Sequence, residues 1–151
     1  MVRTATRKEM IAGLRPNGTT DHLWEKTPVR IGGVKLANNI MEMYPELNMY
    51  DYTKYPYAKR ANLPDNYDLT FSRSETNDHE VLVNLDNGRR VAVVFDTKKW
   101  HPLPDYCTAT DGTKWPVIDG DLHDVRFFDP PSVIVGLRAK GEAKKDVSGF
   151  V

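Results

Sequence analysis

The stretch YDLTFSRSETNDHEVLVNLDNGRRVAVVF, residues 67–95, decides the fold because it contains a strand, a loop, a helix and a second strand in succession. The first segment is rich in strand formers, and the apolar run 91–95 is typical of a parallel strand covered on both faces. Between them, Asn77 and Glu80 predict a capping box at the start of a helix, and Gly88 predicts its end. Two strands joined in this way predict a parallel βαβ unit with a right-handed crossover.

Weaker patterns extend this unit in both directions. Further strands are predicted at residues 47–53, 115–119 and 133–137, and helices at residues 1–15 and 37–44. In the first of these strands, Tyr50 and Tyr52 alternate with Met49 and Asp51, so the two pairs are expected on opposite faces of the sheet. The alternation of strands and helices indicates an α/β fold with a parallel βα-repeat sheet. Because five strands cannot close an eight-stranded barrel, we expect a partial, half TIM-barrel-like sheet.

Length and composition indicate a single domain. We divide it into an N-terminal extension at 1–14, a βα-repeat core at 15–137 and a basic tail at 138–151. The 21 lysines and arginines balance 21 aspartates and glutamates, so no bulk charge favours nucleic acid or an anionic membrane. The single cysteine, Cys107, excludes an internal disulfide and favours the reducing cytoplasm. Neither a signal peptide nor an apolar run of about 18 residues is evident, so we expect no membrane association.

Polar residues follow the carboxyl ends of the predicted strands, where parallel α/β proteins bind ligands. The candidate catalytic residues, if the protein is an enzyme, are Asp51, Lys54, Arg73 and Glu75. The candidate ligand-binding residues are Asn17, Asp21, Ser72, Arg73, Ser74 and Lys140. The hydroxyls and the guanidinium at 72–74 could hold a phosphate near the helix start, although a helix cap with an Arg–Glu pair explains them equally well.

The segment IDGDLHD, residues 118–124, is the best metal candidate. Its potential ligands are Asp119, Asp121, His123 and Asp124, which offer oxygen and nitrogen atoms to a divalent ion. A hydrogen-bonded Asp-Gly turn is the favoured alternative, because the segment lacks the full ligand spacing of a calcium loop. We predict no cofactor.

Several longer motifs resemble a known family. RPNGTTDHLWE at 15–25, YDLTFSRSETN at 67–77 and VIVGLRAKGEAKKDVSGFV at 133–151 resemble the carboxyl-terminal half of a family of uncharacterised tailed-phage and prophage proteins. The resemblance implies a distant relationship to radical-SAM-type barrels, in which an upstream half carries cysteines suited to a metal or iron–sulfur site. We expect this chain to lack that half, and Cys107 cannot ligate a cluster alone.

Two functions follow from this resemblance. The first, which we favour, is a phage accessory binding protein on a degenerate enzyme scaffold that inhibits a host factor or defence complex. Its candidate surface anchors are Tyr55, Tyr57, Trp100 and Arg126. The alternative is a half-barrel enzyme that acts on a phosphorylated or nucleotide-like ligand, as an oligomer or with a cysteine-bearing partner. That enzyme would require Asp51, Lys54, Arg73, Glu75, Asp119 and Asp121 to converge in one pocket.

The sequence also indicates which binding partners to expect. We expect a host or phage protein, or self-association through open sheet edges. Nucleic acid ranks below both, because the neutral charge argues against it while the basic tail and the tyrosines argue for it.

Overall fold

The computed structural model describes residues 2–109, 111–148 and 150–151. The strands within these ranges are β1 (Gly13–Leu14), β2 (Val29–Ile31), β3 (Val34–Ala37), β4 (Asn48–Thr53), β5 (Tyr67–Ser72), β6 (Arg90–Phe95), β7 (Tyr106–Thr108), β8 (Lys114–Asp119) and β9 (Ile134–Arg138). The α-helices are α1 (Val2–Arg7), α2 (Ile40–Met43) and α3 (Asp78–Asp86). Short 3₁₀ turns cover Trp24–Lys26, Tyr57–Arg60, Arg126–Phe128 and Gly141–Lys145.

Seven strands form one sheet in the order β1-β4-β5-β6-β9-β8-β7. Every neighbouring pair is parallel except β7 and β8, which are antiparallel. All five predicted strands are present, and the predicted α/β fold is confirmed with a sheet that is mostly, but not wholly, parallel. The strand order differs from chain order, because β9 lies between β6 and β8. Successive βα units of a barrel would instead place each strand beside the next one in the chain.

The central unit of β5, α3 and β6 forms as predicted, with Thr70 paired to Arg90 in parallel register. Gly88 ends α3 with a φ of +81°, a conformation that favours glycine. The predicted capping box is wrong, because the Asn77 side chain accepts from the Ser74 backbone N–H and donates to the Ser72 carbonyl. Glu80 accepts from the Tyr57 backbone N–H instead. These two side chains therefore stabilise neighbouring loops, at residues 72–74 and at Tyr57, and do not cap the helix.

The two other predicted helices are much shorter than their patterns suggest. Helix α1 ends at Arg7, and β1 pairs in parallel with β4 at residues that the prediction assigned to the helix. Helix α2 is a single turn, in which Asn39 accepts from the Glu42 backbone N–H at 2.8 Å. Ala37 belongs to β3, so the apolar spacing from 37 to 44 spans a strand end and a short helix. Among the described residues, no helix is long and apolar enough to cross a membrane.

The two faces of the large sheet differ in chemistry. On one face, alternate residues of β5 contribute Tyr67 and Leu69 to one apolar cluster and Phe71 to another. The alternation in β4 is as predicted, since Met49 and Asp51 are buried and Tyr50 and Tyr52 are partly exposed. The opposite face mixes polar side chains, such as Thr70, with apolar ones, such as Val135, and residues 120–131 contact part of it. There the buried Arg126 donates to Asp129 Oδ2 at 2.9 Å and to the Gly120 carbonyl at 3.1 Å.

Candidate functional site

The carboxyl ends of β4, β5, β8 and β9 meet at one edge of the sheet and line three adjoining pockets of ≈ 620, ≈ 580 and ≈ 320 Å³. Asp121 and Lys140 line both larger pockets, and Tyr52 and Ser72 line both the middle and the smallest one. We call this continuous depression the carboxyl-edge groove. The predicted site residues that line it are Asp21, Lys54, Ser72, Asp119, Asp121, His123, Asp124 and Lys140.

An ion-pair network forms the floor of the largest pocket. Arg138 Nη1 and Nη2 donate to the two oxygens of Asp119 at 2.8 and 2.9 Å. Asp121 accepts from the Arg138 backbone N–H at 3.1 Å and from Lys140 Nζ at 2.7 Å. The hydrogen bonds from Arg138 lower the pKa of Asp119. Burial opposes the charged form of Asp121, but the hydrogen bonds from Lys140 and Arg138 outweigh it and lower its pKa. Both carboxylates are therefore charged and already neutralised by cations.

The predicted metal ligands are engaged elsewhere. His123 Nε2 lies 3.5 Å from Asp129 Oδ1, and Asp124 accepts from Tyr52 Oη and Arg15 Nη1, each at 3.1 Å. Burial raises the pKa of Tyr52 to about 12, so its hydroxyl remains the donor. Within the described ranges, no group of three or more His, Cys, Asp or Glu side chains could hold a metal ion. The predicted set of Asp119, Asp121, His123 and Asp124 is thus not assembled, because arginines, a lysine and a tyrosine occupy the carboxylate oxygens.

Asp51 and Asn17 lie beneath the groove and do not line its pockets. Asp51 is wholly buried and accepts from the Asn17 backbone N–H at 2.9 Å, from Asn17 Nδ2 at 3.1 Å and from Tyr67 Oη at 2.7 Å. Burial raises the pKa of Asp51, although the hydrogen bond from Tyr67 acts in the opposite direction. Asn17 Oδ1 in turn accepts from Trp24 Nε1 at 3.1 Å. These contacts tie the loop after β1 to the sheet.

Asp21 and Lys54 are joined at the smallest pocket. Asp21 Oδ2 accepts from the Lys54 backbone N–H at 2.7 Å, and its Oδ1 accepts from Arg60 Nη1 at 2.9 Å. Arg60 is buried and also donates to both oxygens of Glu25, at 2.9 and 2.8 Å. The sequence analysis missed Arg60, which sits in an irregular segment with no pattern that would indicate a buried ion pair.

The predicted phosphate cradle at residues 72–74 is not formed. Ser72 lines the groove, whereas Arg73 turns away, donates to Asp78 Oδ1 at 2.9 Å and to the Phe150 carbonyl at 3.1 Å, and lines a separate cavity of ≈ 80 Å³. The Ser74 backbone N–H donates to the Asn77 side chain, and Glu75 is exposed. The predicted catalytic residues Asp51, Lys54, Arg73 and Glu75 therefore occupy four different environments and do not share a pocket.

A second surface feature was not predicted. Strands β2 and β3 form a separate two-stranded sheet, with Gly32 and Gly33 as its turn at φ values of +55° and +82°. The exposed fractions of Ile31, Val34 and Leu36 are 66%, 64% and 49%. Ile31 is paired with Val34, and Leu36 is two residues further along the strand, so all three share one side. We call these three side chains the hairpin face.

The predicted surface anchors have mixed outcomes. Trp100 is 85% exposed, as an anchor must be. Tyr55 and Tyr57 are half-buried, and Lys59 and Arg89 lie over their rings. Arg126 is wrong as an anchor, because its side chain is fully buried and bonded to Asp129 and Gly120 of its own segment.

Known proteins bear on the resemblance of this chain to phage proteins. No curated protein and no solved structure matches the chain. A family model described as Gene product 88 matches residues 1–151. The chain belongs to the Gene product 88 family, a family of phage proteins.

Proposed function

We propose that this phage protein is an accessory binding protein that inhibits a host factor, such as a defence complex, by docking through the hairpin face. The observation that carries the proposal is the exposure of Ile31, Val34 and Leu36 together on one side of a hairpin outside the main sheet. Contiguous exposed apolar side chains mark interaction sites more often than single ones do. Two strands that pair with no other strand also gain stability from a partner that covers them.

The charges of the hairpin and of the residues next to it in the chain favour an acidic partner. From Lys26 to Asn39 the chain has Lys26, Arg30 and Lys35 but no aspartate or glutamate. These three cations donate to the neutral groups Lys59 O, Gly33 O and Asn38 Oδ1, and none of them forms an ion pair within the described residues. Arg30 and Lys35 are paired on the side of the hairpin opposite the hairpin face. A partner that covers the apolar side chains and places carboxylates around the edge of the hairpin would therefore fit.

Self-association through sheet edges has less support. The edge strands of the large sheet are β1, with two residues, and β7, with three. Short edge strands offer few unpaired backbone groups to another chain, which limits edge-to-edge pairing. The host protein therefore remains the preferred partner.

The enzyme alternative also has less support than binding. Its four candidate catalytic residues lie apart, and the groove aspartates Asp119 and Asp121 are held by Arg138 and Lys140. A half-barrel relationship to radical-SAM-type proteins, a cysteine-bearing partner and a cytoplasmic location stay predictions.

Site-specific photocrosslinking in phage-infected cells tests the proposal. A photoreactive amino acid at Val34 should yield one dominant adduct with a host protein, and Val34→Asp should abolish binding of that protein to the purified phage protein. The matched control is Val147, which is exposed but lies far along the chain in the tail. A photoreactive residue there should give no such adduct, and Val147→Asp should bind normally.

Inhibition is measured on the identified partner. Its activity should fall when the wild-type protein is added and should be unaffected by the Val34→Asp variant. The proposal is overturned if positions 34 and 147 give the same adducts, or if Val34→Asp inhibits as strongly as the wild type.

A further inference from the structure

The largest pocket of the carboxyl-edge groove, of ≈ 620 Å³, combines an exposed indole with lysines from two separate segments. We call it the Trp100 pocket. The loop after β6 contributes Lys99 and Trp100, and the 3₁₀ turn Gly141–Lys145 contributes Lys144. Its volume lies within the range of pockets that hold small organic ligands.

The loop that carries Trp100 is fastened to the sheet. Arg138 Nε and Nη2 donate to the His101 carbonyl at 3.1 and 3.0 Å. The same guanidinium holds both oxygens of Asp119, so one side chain connects the loop, the end of β9 and the end of β8. The indole is therefore presented from a supported position beside the ion-pair network.

The charges that line the Trp100 pocket do not balance. Its lysines and arginine are Lys99, Arg138, Lys140 and Lys144, and its carboxylates are Asp119 and Asp121. Arg138 and Lys140 are paired with the two aspartates. Lys99 and Lys144 form no ion pair within the described part of the chain, and Lys99 Nζ lies 4.6 Å from the Trp100 ring centroid. Two positive charges thus remain for an anionic group such as a phosphate.

The aromatic part of the pocket suits a planar ring. Trp100 is 85% exposed, although tryptophan is highly buried on average in folded proteins. Leu122 is exposed on the same pocket and adds apolar surface. Aromatic side chains in such positions stack on nucleobases, whatever the base.

We propose that the Trp100 pocket binds a nucleotide, whose base stacks on Trp100 and whose phosphates contact Lys99 and Lys144. The inference goes beyond the proposed function and does not depend on the hairpin face. A mononucleotide is favoured over a nucleic-acid strand, because the formal net charge of the chain is +0 and strand binding draws its affinity from many phosphate contacts.

Isothermal titration calorimetry with ADP as the probe tests this site, and adenosine and pyrophosphate separate its two halves. ADP should bind at least tenfold more tightly than either fragment. Trp100→Ala should weaken ADP binding roughly tenfold and leave pyrophosphate binding unchanged, whereas Trp100→Phe should retain most of the affinity. The double change of Lys99→Gln and Lys144→Gln should weaken ADP and pyrophosphate binding but not adenosine binding.

Matched controls lie outside the pocket. Lys114→Gln removes an exposed lysine at the start of β8, and Val34→Asp alters the hairpin face; both should bind ADP like the wild type. The nucleotide assignment is overturned if ADP does not bind at millimolar concentration, if pyrophosphate binds as tightly as ADP, or if Trp100→Ala has no effect. Tighter binding of a short oligothymidine than of ADP would also overturn it and identify a nucleic-acid site. A negative result for nucleotide binding would not change the expected outcome of the crosslinking experiment at the hairpin face, so the two proposals can fail separately.

Discussion

Asp51 accepts three hydrogen bonds in a position closed to solvent, so its carboxylate stabilises the fold through its neighbours. Two of the donors belong to Asn17 and the third is Tyr67 Oη. A buried donor that loses its acceptor costs about 1–3 kcal/mol. We therefore expect Asp51→Ala to lower the free energy of unfolding by about 3 kcal/mol, measured by urea denaturation.

Asp124→Ala is the control for that change. Asp124 also accepts from a tyrosine hydroxyl and an arginine, but it is exposed, so its removal should cost less than about 1 kcal/mol. Equal losses of stability for the two variants would contradict a structural role for Asp51. So would an Asp51→Ala protein that keeps full stability while losing its binding activity.

Which polar side chains reach the groove was partly predictable. Four groove residues were predicted only because they lie at or after the carboxyl ends of predicted parallel strands: Ser72, Asp119, Asp121 and Lys140. Their partners were not predictable, because Arg138 and Asp119 are 19 residues apart and the pairing depends on which strands are adjacent. Asp51 follows the same strand rule but points to the buried face, where Asn17 covers it.

The β2–β3 hairpin depends on a two-residue turn in which both residues have positive φ. Gly33 has a φ of +82°, where a β-branched side chain is strained by about 1–2 kcal/mol. We expect Gly33→Val to reduce the hydrogen-exchange protection of amides in residues 29–37 and to weaken binding of the host partner that we propose. Gly32→Asn is the matched change, since asparagine tolerates positive φ in such turns, and it should retain protection. Unchanged protection in Gly33→Val would mean that other contacts hold the hairpin.

The hairpin and α3 show why some elements are predictable and others are not. Helix α3 has nine residues and a glycine directly after its C-cap. Its sequence therefore shows both the spacing of apolar residues on one helix face and the signal for the helix end. Strands β2 and β3 have only three and four residues, too few to establish an alternation. Ala37 also fits the apolar stripe of a helix, so the predicted helix at residues 37–44 wrongly included the last residue of β3. The Gly32-Gly33 pair was the available signal for the turn.

At the scale of the whole molecule, the order of the strands depends on burial. The first three residues of β9 are buried, whereas β8 has only exposed and half-buried residues and contains Pro116. At Pro116 the strand pairs only with β7, and its pairing with β9 begins at Val117. This placement agrees with the exclusion of proline from positions that are hydrogen-bonded on both sides. The apolar run from Val133 to Leu137 therefore indicated a central strand, and β9 does lie between β6 and β8. The order of the strands along the chain would instead have suggested that β8 lies next to β6.

We expect the sheet to unfold as one cooperative unit, because β5 contributes to both apolar clusters. Trp24 packs on the cluster that contains Met49, and Trp115 packs on the one that contains Phe71. Met49→Ala should cost about 2–5 kcal/mol, since Met49 is fully buried. In a two-state domain that loss shifts every probe together. Fluorine NMR of the fluorotryptophan-labelled protein in urea should therefore show the Trp24 and Trp115 signals disappearing at one midpoint, lowered equally by Met49→Ala. If the Trp24 signal alone moved to lower urea, the two clusters would unfold separately and the sheet would not act as one unit.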